Sequence, residues 1–181
     1  KKLEKHQKNS SIALISDAGS PLISDPGYNL VLDYIKKKIM VTTVPGPSAI
    51  ISAIQLSGLP TYNFCFYGFL PKNTKGINNL LDTIQNSKTT SILFVSKYKI
   101  IDFIKIMIER KIQREISVCK EITKKNETIF RGSALEIMDS LVKNTGSTKG
   151  EFVVLIEGVK NEVKKRLDVQ TENQITKLLK K

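Results

Sequence analysis

From Ser11 to Gly158 the chain alternates short apolar runs with stretches in which apolar residues recur every three or four positions. "SIALIS", residues 11–16, reads as a buried strand. The stretch "YNLVLDYIKKK" that follows places Leu30, Val31, Tyr34 and Ile35 on one helix face. A second strand is expected over Met40–Val44. "PGPSAIISAIQLSG" then gives a turn and a helix, with Ser48 as its N-cap and Gly58 as its stop. Past "LPTYN" the pattern restarts. It predicts strands over 63–68, 90–95, 115–119 and 151–157, an extended piece over 128–131, and helices over 76–86, 98–110 and 134–143. The last helix opens on "SALE", a capping box of Ser133 and Glu136. Strand and helix in alternation imply an α/β fold, a largely parallel sheet with helices on its faces.

A domain boundary is expected near residue 61. It divides the chain into 1–61, the later part of a first α/β domain, 62–158, a second α/β domain, and 159–181, a charged helical tail. The first domain shows only two strands, too few for a stable sheet. The chain also opens without methionine on what reads as the last turns of a helix, so further sequence is expected upstream.

Composition narrows the classes. The chain has 181 residues and 40% hydrophobic content, enough to bury a core, and no apolar run approaches membrane-spanning length. The lysine-rich start is not followed by the apolar segment of a signal peptide, which points to the cytoplasm. Cys65 and Cys119 sit inside strand-like runs without a C-x-x-C partner and read as small buried hydrophobes, and His6 reads as solvated surface. No metal site is expected. The net charge of +12 fits a polyanionic partner, although lysine spread over both halves gives the same sum without one.

Candidate chemistry gathers where strands end. "SDAGSPLISDPG", residues 16–27, contains two Ser-Asp pairs. The second, Asp25 with Pro26, fits a helix start, the carboxylate capping free N–H groups. The first leaves Asp17, Ala18 and Gly19 just beyond a strand's carboxyl end, where open α/β sheets bind ligands, although a plain turn has the same composition. "VPGPSA" repeats the arrangement after the next strand. Neither loop has the G-x-G-x-x-G or G-K-[ST] pattern, so the pocket suits a compact ligand held by main-chain groups.

"ALISDAGSPLISDPGYNLV", "VPGPSAIISAIQLSGLP", "FCFYGFLPKNTKG", "CKEITKKNETIFRG" and "KGEFVVLIEG" occur in an order and at spacings that resemble the ribosomal RNA small-subunit methyltransferase I family of the tetrapyrrole methylase superfamily. The resemblance runs from Ser11 to Gly158. It implies a two-domain fold, with the first domain's largely parallel sheet incomplete here and the second a mixed sheet with flanking helices. The implied activity is S-adenosylmethionine-dependent 2′-O-methylation of a decoding-centre cytidine in 16S rRNA, within the small ribosomal subunit, by a homodimer. The donor site it implies takes in Asp17, Ala18, Gly19, Pro45, Gly46, Pro47, Ser48 and Ala49, together with Phe94, Val95, Ile122 and Gly150.

Glu121 or Lys149, both in matched motifs, is the candidate that assists loss of the hydroxyl proton. An ordinary ion pair for Glu121 and a phosphate contact for Lys149 are the competing readings. Lysines 97, 99, 105, 120, 124, 125 and 149 offer a phosphate-binding rim, and Tyr67, Phe69 and Tyr98 offer rings for stacking unless they are core residues. The chain departs from the family at Val95, where glutamate is expected, and at Lys120, where arginine is. The family's opening Gly-Asn segment and most of its C-terminal extension have no counterpart in it. Two alternatives stand beside this reading: a methyltransferase of a small, tetrapyrrole-type substrate, and a non-catalytic RNA-binding or dimerisation fragment. The first is disfavoured because the opening loop lacks the G-D-P of those branches.

Overall fold

The computed structural model describes residues 11–143 and 148–159. His6, the helical turns expected at the start and the tail from residue 160 onward lie outside the described residues. Among the described residues ten elements follow in order: helices α1 (Tyr28–Lys36) and α2 (Ala49–Ser57), strand β1 (Phe64–Phe69), α3 (Thr74–Gln85), β2 (Thr90–Ser96), α4 (Ile100–Glu109), β3 (Ile116–Lys120), β4 (Thr128–Gly132), α5 (Ala134–Lys143) and β5 (Glu151–Ile156).

The strands form one sheet in the order β1-β2-β5-β3-β4. Only β1 and β2 run parallel; β2–β5, β5–β3 and β3–β4 are antiparallel. Helix–strand alternation alone overstates parallel pairing, because β3 and β4 are joined through residues 121–127 with no crossover helix. The mixed sheet with flanking helices that the resemblance implied is what the chain builds.

Each central strand is apolar on both sides, since helices cover both faces. One face carries Leu93, Val95, Val118, Phe152 and Val154 and packs with residues of α3, α4 and α5, including Leu81, Phe103, Met107 and Leu141. The other carries Ile92, Cys119, Val153 and Leu155 and packs with Ala53 and Ile54 of α2. Cys119 is buried and Cys65 half-buried, and both are free thiols. Burial pushes the Cys119 thiol above its ordinary pKa.

Local signals fix the helix ends. Ser48 Oγ accepts from Ile51 N at 3.5 Å, and Gly58 ends α2 in the left-handed region at φ +75°. Asn73 caps α3, its side chain accepting from Gly76 N at 2.7 Å. At α5 the expected box closes: Glu136 Oε2 accepts from Ser133 N at 2.8 Å, and Ser133 Oγ accepts from Glu136 N at 3.4 Å.

Two expectations for the first part fail. Residues 11–16 and 40–44 form no ladder among the described residues; a strand exists only through a partner, and Met40 and Val44 stand 88% and 89% exposed. Asp25 does not cap α1 either. Gly27 holds the N-cap position at φ +135° with no side-chain cap, and the Asp-Pro-Gly sequence is spent on a bend ahead of the helix.

Candidate methyl-donor site

The register of the sheet defines one end of it. Ser96 pairs with Glu151 and Lys120 with Phe152, so β1, β2 and β3 finish, and β5 begins, on the same side. Helix α2 is oriented against this frame by an arginine. Arg131 pairs in β4 with Ser117, near the start of β3. From there it donates through Nε to Ser57 O at 3.1 Å and through a second nitrogen to Leu56 O, the terminal carbonyls of α2. The α2 C-terminus thus sits at the far end, and its N-terminus with Ser48 and Ala49 points toward the end where β1–β3 stop.

The first loop reaches the same end. Ser16 Oγ donates to Gly19 O at 2.9 Å and closes a turn around Asp17 and Ala18, with Gly19 at φ +75°. Ser20 Oγ then donates to Pro47 O at 3.4 Å, which joins the 16–20 turn to the 45–48 turn. A side chain at Gly68, in β1, would meet Ser24 Oγ at 4.0 Å. A Cβ built at Gly19 or at Gly46 meets nothing within 4 Å, so the main chain of both loops faces open space.

The second part supplies an aromatic floor and a braced corner. Phe94 packs edge-on against Phe66 and Phe69, ring centres 4.8 and 5.3 Å away. Val95 points to the opposite face and is buried in the core, so it can offer only main-chain atoms to a ligand at this end. Ile122 packs against the cluster beneath α2. Lys149 is exposed, and Gly150 beside it has φ +111°. Glu121 Oε1 accepts from Glu151 N at 2.8 Å and from Lys124 Nζ at 3.1 Å. The hydrogen bond from the Glu151 amide, with help from Lys124, holds the Glu121 carboxyl below the usual carboxylate range.

Of the stacking candidates, Phe69 and Tyr98 are exposed at 63% and 80%, with the Lys97 ammonium 5.0 Å from the Tyr98 ring centre, whereas Tyr67 packs into the core. Among the lysines, Lys120 is buried, Lys124 is paired, and Lys99 Nζ donates to Lys72 O. A hollow of about 550 Å³ opens at the other end of the sheet, lined by Lys111, Arg114, Ser133 and Leu135 among others, and it contains none of the expected site residues. Sequence reasoning missed Arg131 altogether, because a contact across 74 residues leaves no local signal.

The sequence profile of the Tetrapyrrole (Corrin/Porphyrin) Methylases matches residues 1–138. The chain belongs to this family. Among relatives of the chain, the ribosomal RNA small subunit methyltransferase I of Halalkalibacterium halodurans is 40% identical over 148 residues, 82% of this chain and 50% of that protein. The protein of the same name from Buchnera aphidicola subsp. Schizaphis graminum is 39% identical over 173 residues, 94% of this chain and 60% of its own length. The chain therefore spans 50–60% of the length of these curated relatives. A crystal structure of diphthine synthase superposes with a TM-score of 0.58 at 11% identity, covering 77% of this chain and 57% of that one, a likeness of fold.

Tetrapyrrole methylases take S-adenosylmethionine as methyl donor. The residues present fit such a group. Two loops with uncovered main chain and adjacent serines suit the amino-acid and ribose polar atoms, and the exposed Phe69 ring beside Phe94 suits an adenine face. Among the described residues no cluster of His, Cys, Asp and Glu could hold a metal ion, and no helix is long and apolar enough to cross a membrane.

Proposed function

We propose that this chain carries most of the donor-binding and RNA-facing surface of an S-adenosylmethionine-dependent enzyme that methylates the 2′-hydroxyl of a decoding-centre cytidine in 16S rRNA. The carrying observation is the identity of about two residues in five with ribosomal RNA small subunit methyltransferases I over four-fifths or more of this chain. The hydrogen bond between the 16–20 and 45–48 turns supports the same reading.

On this reading Asp17, Ala18, Gly19 and Pro45–Ala49 hold the donor on one side. Phe94, Ile122 and the main chain of Val95 and Gly150 bound it on the other. When bound, S-adenosylmethionine supplies an electrophilic methyl carbon, and the protein's share is placement of the ribose oxygen in line with it. The hydroxyl must lose its proton as the new O–C bond forms. Glu121 and Lys149 are the two candidates to assist. The Glu121 carboxylate is engaged by an amide and an ammonium and held at low pKa, which makes it a poor acceptor of that proton. Lys149, exposed at the start of β5, is suited to stabilise the developing alkoxide while solvent takes the proton. Lys97 and Lys125, with the Tyr98 ring, would meet phosphates and an unstacked base.

The test is incubation of the chain with small ribosomal subunits and S-adenosylmethionine carrying a labelled methyl group, followed by alkaline hydrolysis of the 16S rRNA. One alkali-resistant linkage at a cytidine supports the proposal. Label found only in a tetrapyrrole supplied as competitor, or donor binding with no transfer to RNA, overturns it.

A further inference from the structure

We infer that Glu121 is a positioning residue: it locks the Lys149–Glu151 turn into the one conformation that presents Lys149, and does not itself exchange a proton with the substrate. The inference rests on the proposed rRNA methylation and concerns how its site is held.

Four observations converge. The two segments pair reciprocally: Glu121 N donates to Glu151 O at 2.9 Å, and Glu151 N donates back to the Glu121 side-chain carboxylate at 2.8 Å. Lys124 Nζ bridges both acids, 3.1 Å from Glu121 Oε1 and 2.9 Å from Glu151 Oε2. Glu121 Oε1 thereby accepts two donors, one for each lone pair. Gly150 stands at φ +111°, and a Cβ built there would lie 2.6 Å from Glu121 Cγ, so the acid's side chain occupies the space that any other residue at 150 would need.

The fourth is backbone geometry on the partner segment. Glu121 and Thr123 both adopt left-handed φ, +50° and +65°, which side chains with a Cβ disfavour. That conformation is maintained by contacts within 121–127: Lys124 N donates to Glu121 O at 2.9 Å, and Thr123 N to Glu127 Oε2 at 2.7 Å. A segment held this way is a fixed anvil for the turn opposite. With the Glu151 amide anchored on Glu121 and Lys149 immediately preceding Gly150, the Gly150 torsions set how Lys149 stands relative to that anchor.

A proton acceptor would use Glu121 differently. Protonation at either carboxylate oxygen would neutralise the charge on which the Glu151 amide and the Lys124 ammonium both bind, and would loosen the corner during every turnover. A positioning acid keeps both partners throughout.

The experiment uses the full chain and its E121Q, E121A, G150A and K149A variants, with two readouts. In the folded chain without donor or RNA, E121A should speed hydrogen exchange of the Glu151 amide by about tenfold or more, the scale of one charge-assisted hydrogen bond. E121Q should stay within about threefold, its amide oxygen still able to accept. In methylation of 16S rRNA, E121Q should keep the rate within about tenfold and leave the pH profile's shape unchanged. E121A and G150A should both fall toward the K149A rate. Unchanged Glu151 exchange in E121A overturns the inference. So does an E121Q rate down by about 10² or more with that amide still protected, the signature of a lost general base. The exchange readout needs no activity, so it judges the turn separately: faster exchange in E121A together with a wild-type rate in K149A would sink the role given to Lys149 under rRNA methylation while the locked turn stands.

Discussion

Residues 11–48 and residues 62–158 have comparable proportions of apolar side chains but very different fates. In the second stretch the apolar positions of β2, β3 and β5 are buried on both faces of a sheet. In the first, no hydrophobic side chain is buried, and Ile15, Met40 and Val44 are more than four-fifths exposed. The difference lies in pairing. Strand-like sequence forms a core only when a ladder brings its faces against other elements, whereas the two loops of the first stretch are joined to each other by the Ser20–Pro47 hydrogen bond and lead into α2, which packs on the sheet. The second stretch carries the stability. The first carries most of the proposed donor contacts.

The comparison is broken most directly by deleting side chains on its two sides. Phe103→Ala, at a position with no exposure, should cost about 3–5 kcal/mol in urea unfolding. Val31→Ala in α1, a helix without a buried residue, should cost less than about 1 kcal/mol. Equal losses would show that the two stretches unfold as one core.

Arg131 tests what joins them. Arg131→Ala leaves two α2 carbonyls without their donor and should lower stability by about 1–3 kcal/mol. Amide exchange in α2 should accelerate more than exchange in β5, and uniform acceleration would assign the arginine to the sheet instead.

The caps sharpen the comparison within the first stretch itself. Ser48→Ala should cost about 1 kcal/mol, measured by thermal unfolding, because Ser48 caps a helix that is packed. Asp25→Ala should fall within about 0.5 kcal/mol of wild type, because Asp25 caps nothing. A loss as large as that of Ser48→Ala would return Asp25 to the cap position.

The smallest effect is on the acid limb of stability. Glu121 and Glu136 have folded pKa values below the ordinary carboxylate value, through amide hydrogen bonds from Glu151 and Ser133. The folded state thus binds fewer protons than the unfolded state, so their contribution is complete above the unfolded pKa and is lost as pH falls through the folded one. A Glu136→Gln variant should lose less stability than wild type between pH 5 and pH 2, followed by urea titration at each pH. Parallel curves would mean that the Ser133 box is not linked to folding.

What the sequence makes legible follows the same division. β2, β4 and α5 begin where the apolar pattern places them, and β1, β3 and β5 lie within a residue of it, because a strand covered on both faces leaves an unbroken apolar run. Ser48, Gly58 and the Ser133–Glu136 box are equally legible, since each is a contact between neighbours in sequence. The order of strands is not. Nothing local to "EFVVLI" says that β5 enters between β2 and β3, and nothing local to "FRG" says that Arg131 reaches the end of α2. Apolar composition also misreads 11–16 and 40–44, where the missing term is a partner strand. At the site, motif spacing brings Asp17, Ser48, Phe94, Glu121 and Lys149 into view, but the chemistry that separates Glu121 from Lys149 appears only with the amide of Glu151 across the corner.

The centre of the sheet is the final strand of the described chain to leave the ribosome. Without Glu151–Ile156, β2 and β3 each lack the antiparallel partner on their inner side, and each leaves an unpaired apolar margin. Insertion of β5 closes both margins at once through the antiparallel ladders on its two sides, with Val154 and Leu155 carried into an interior that did not previously exist. Completion of this sheet is thus a single event that waits for Glu151–Ile156, and a chain stopped a few residues short of Glu151 would be a substrate for chaperones.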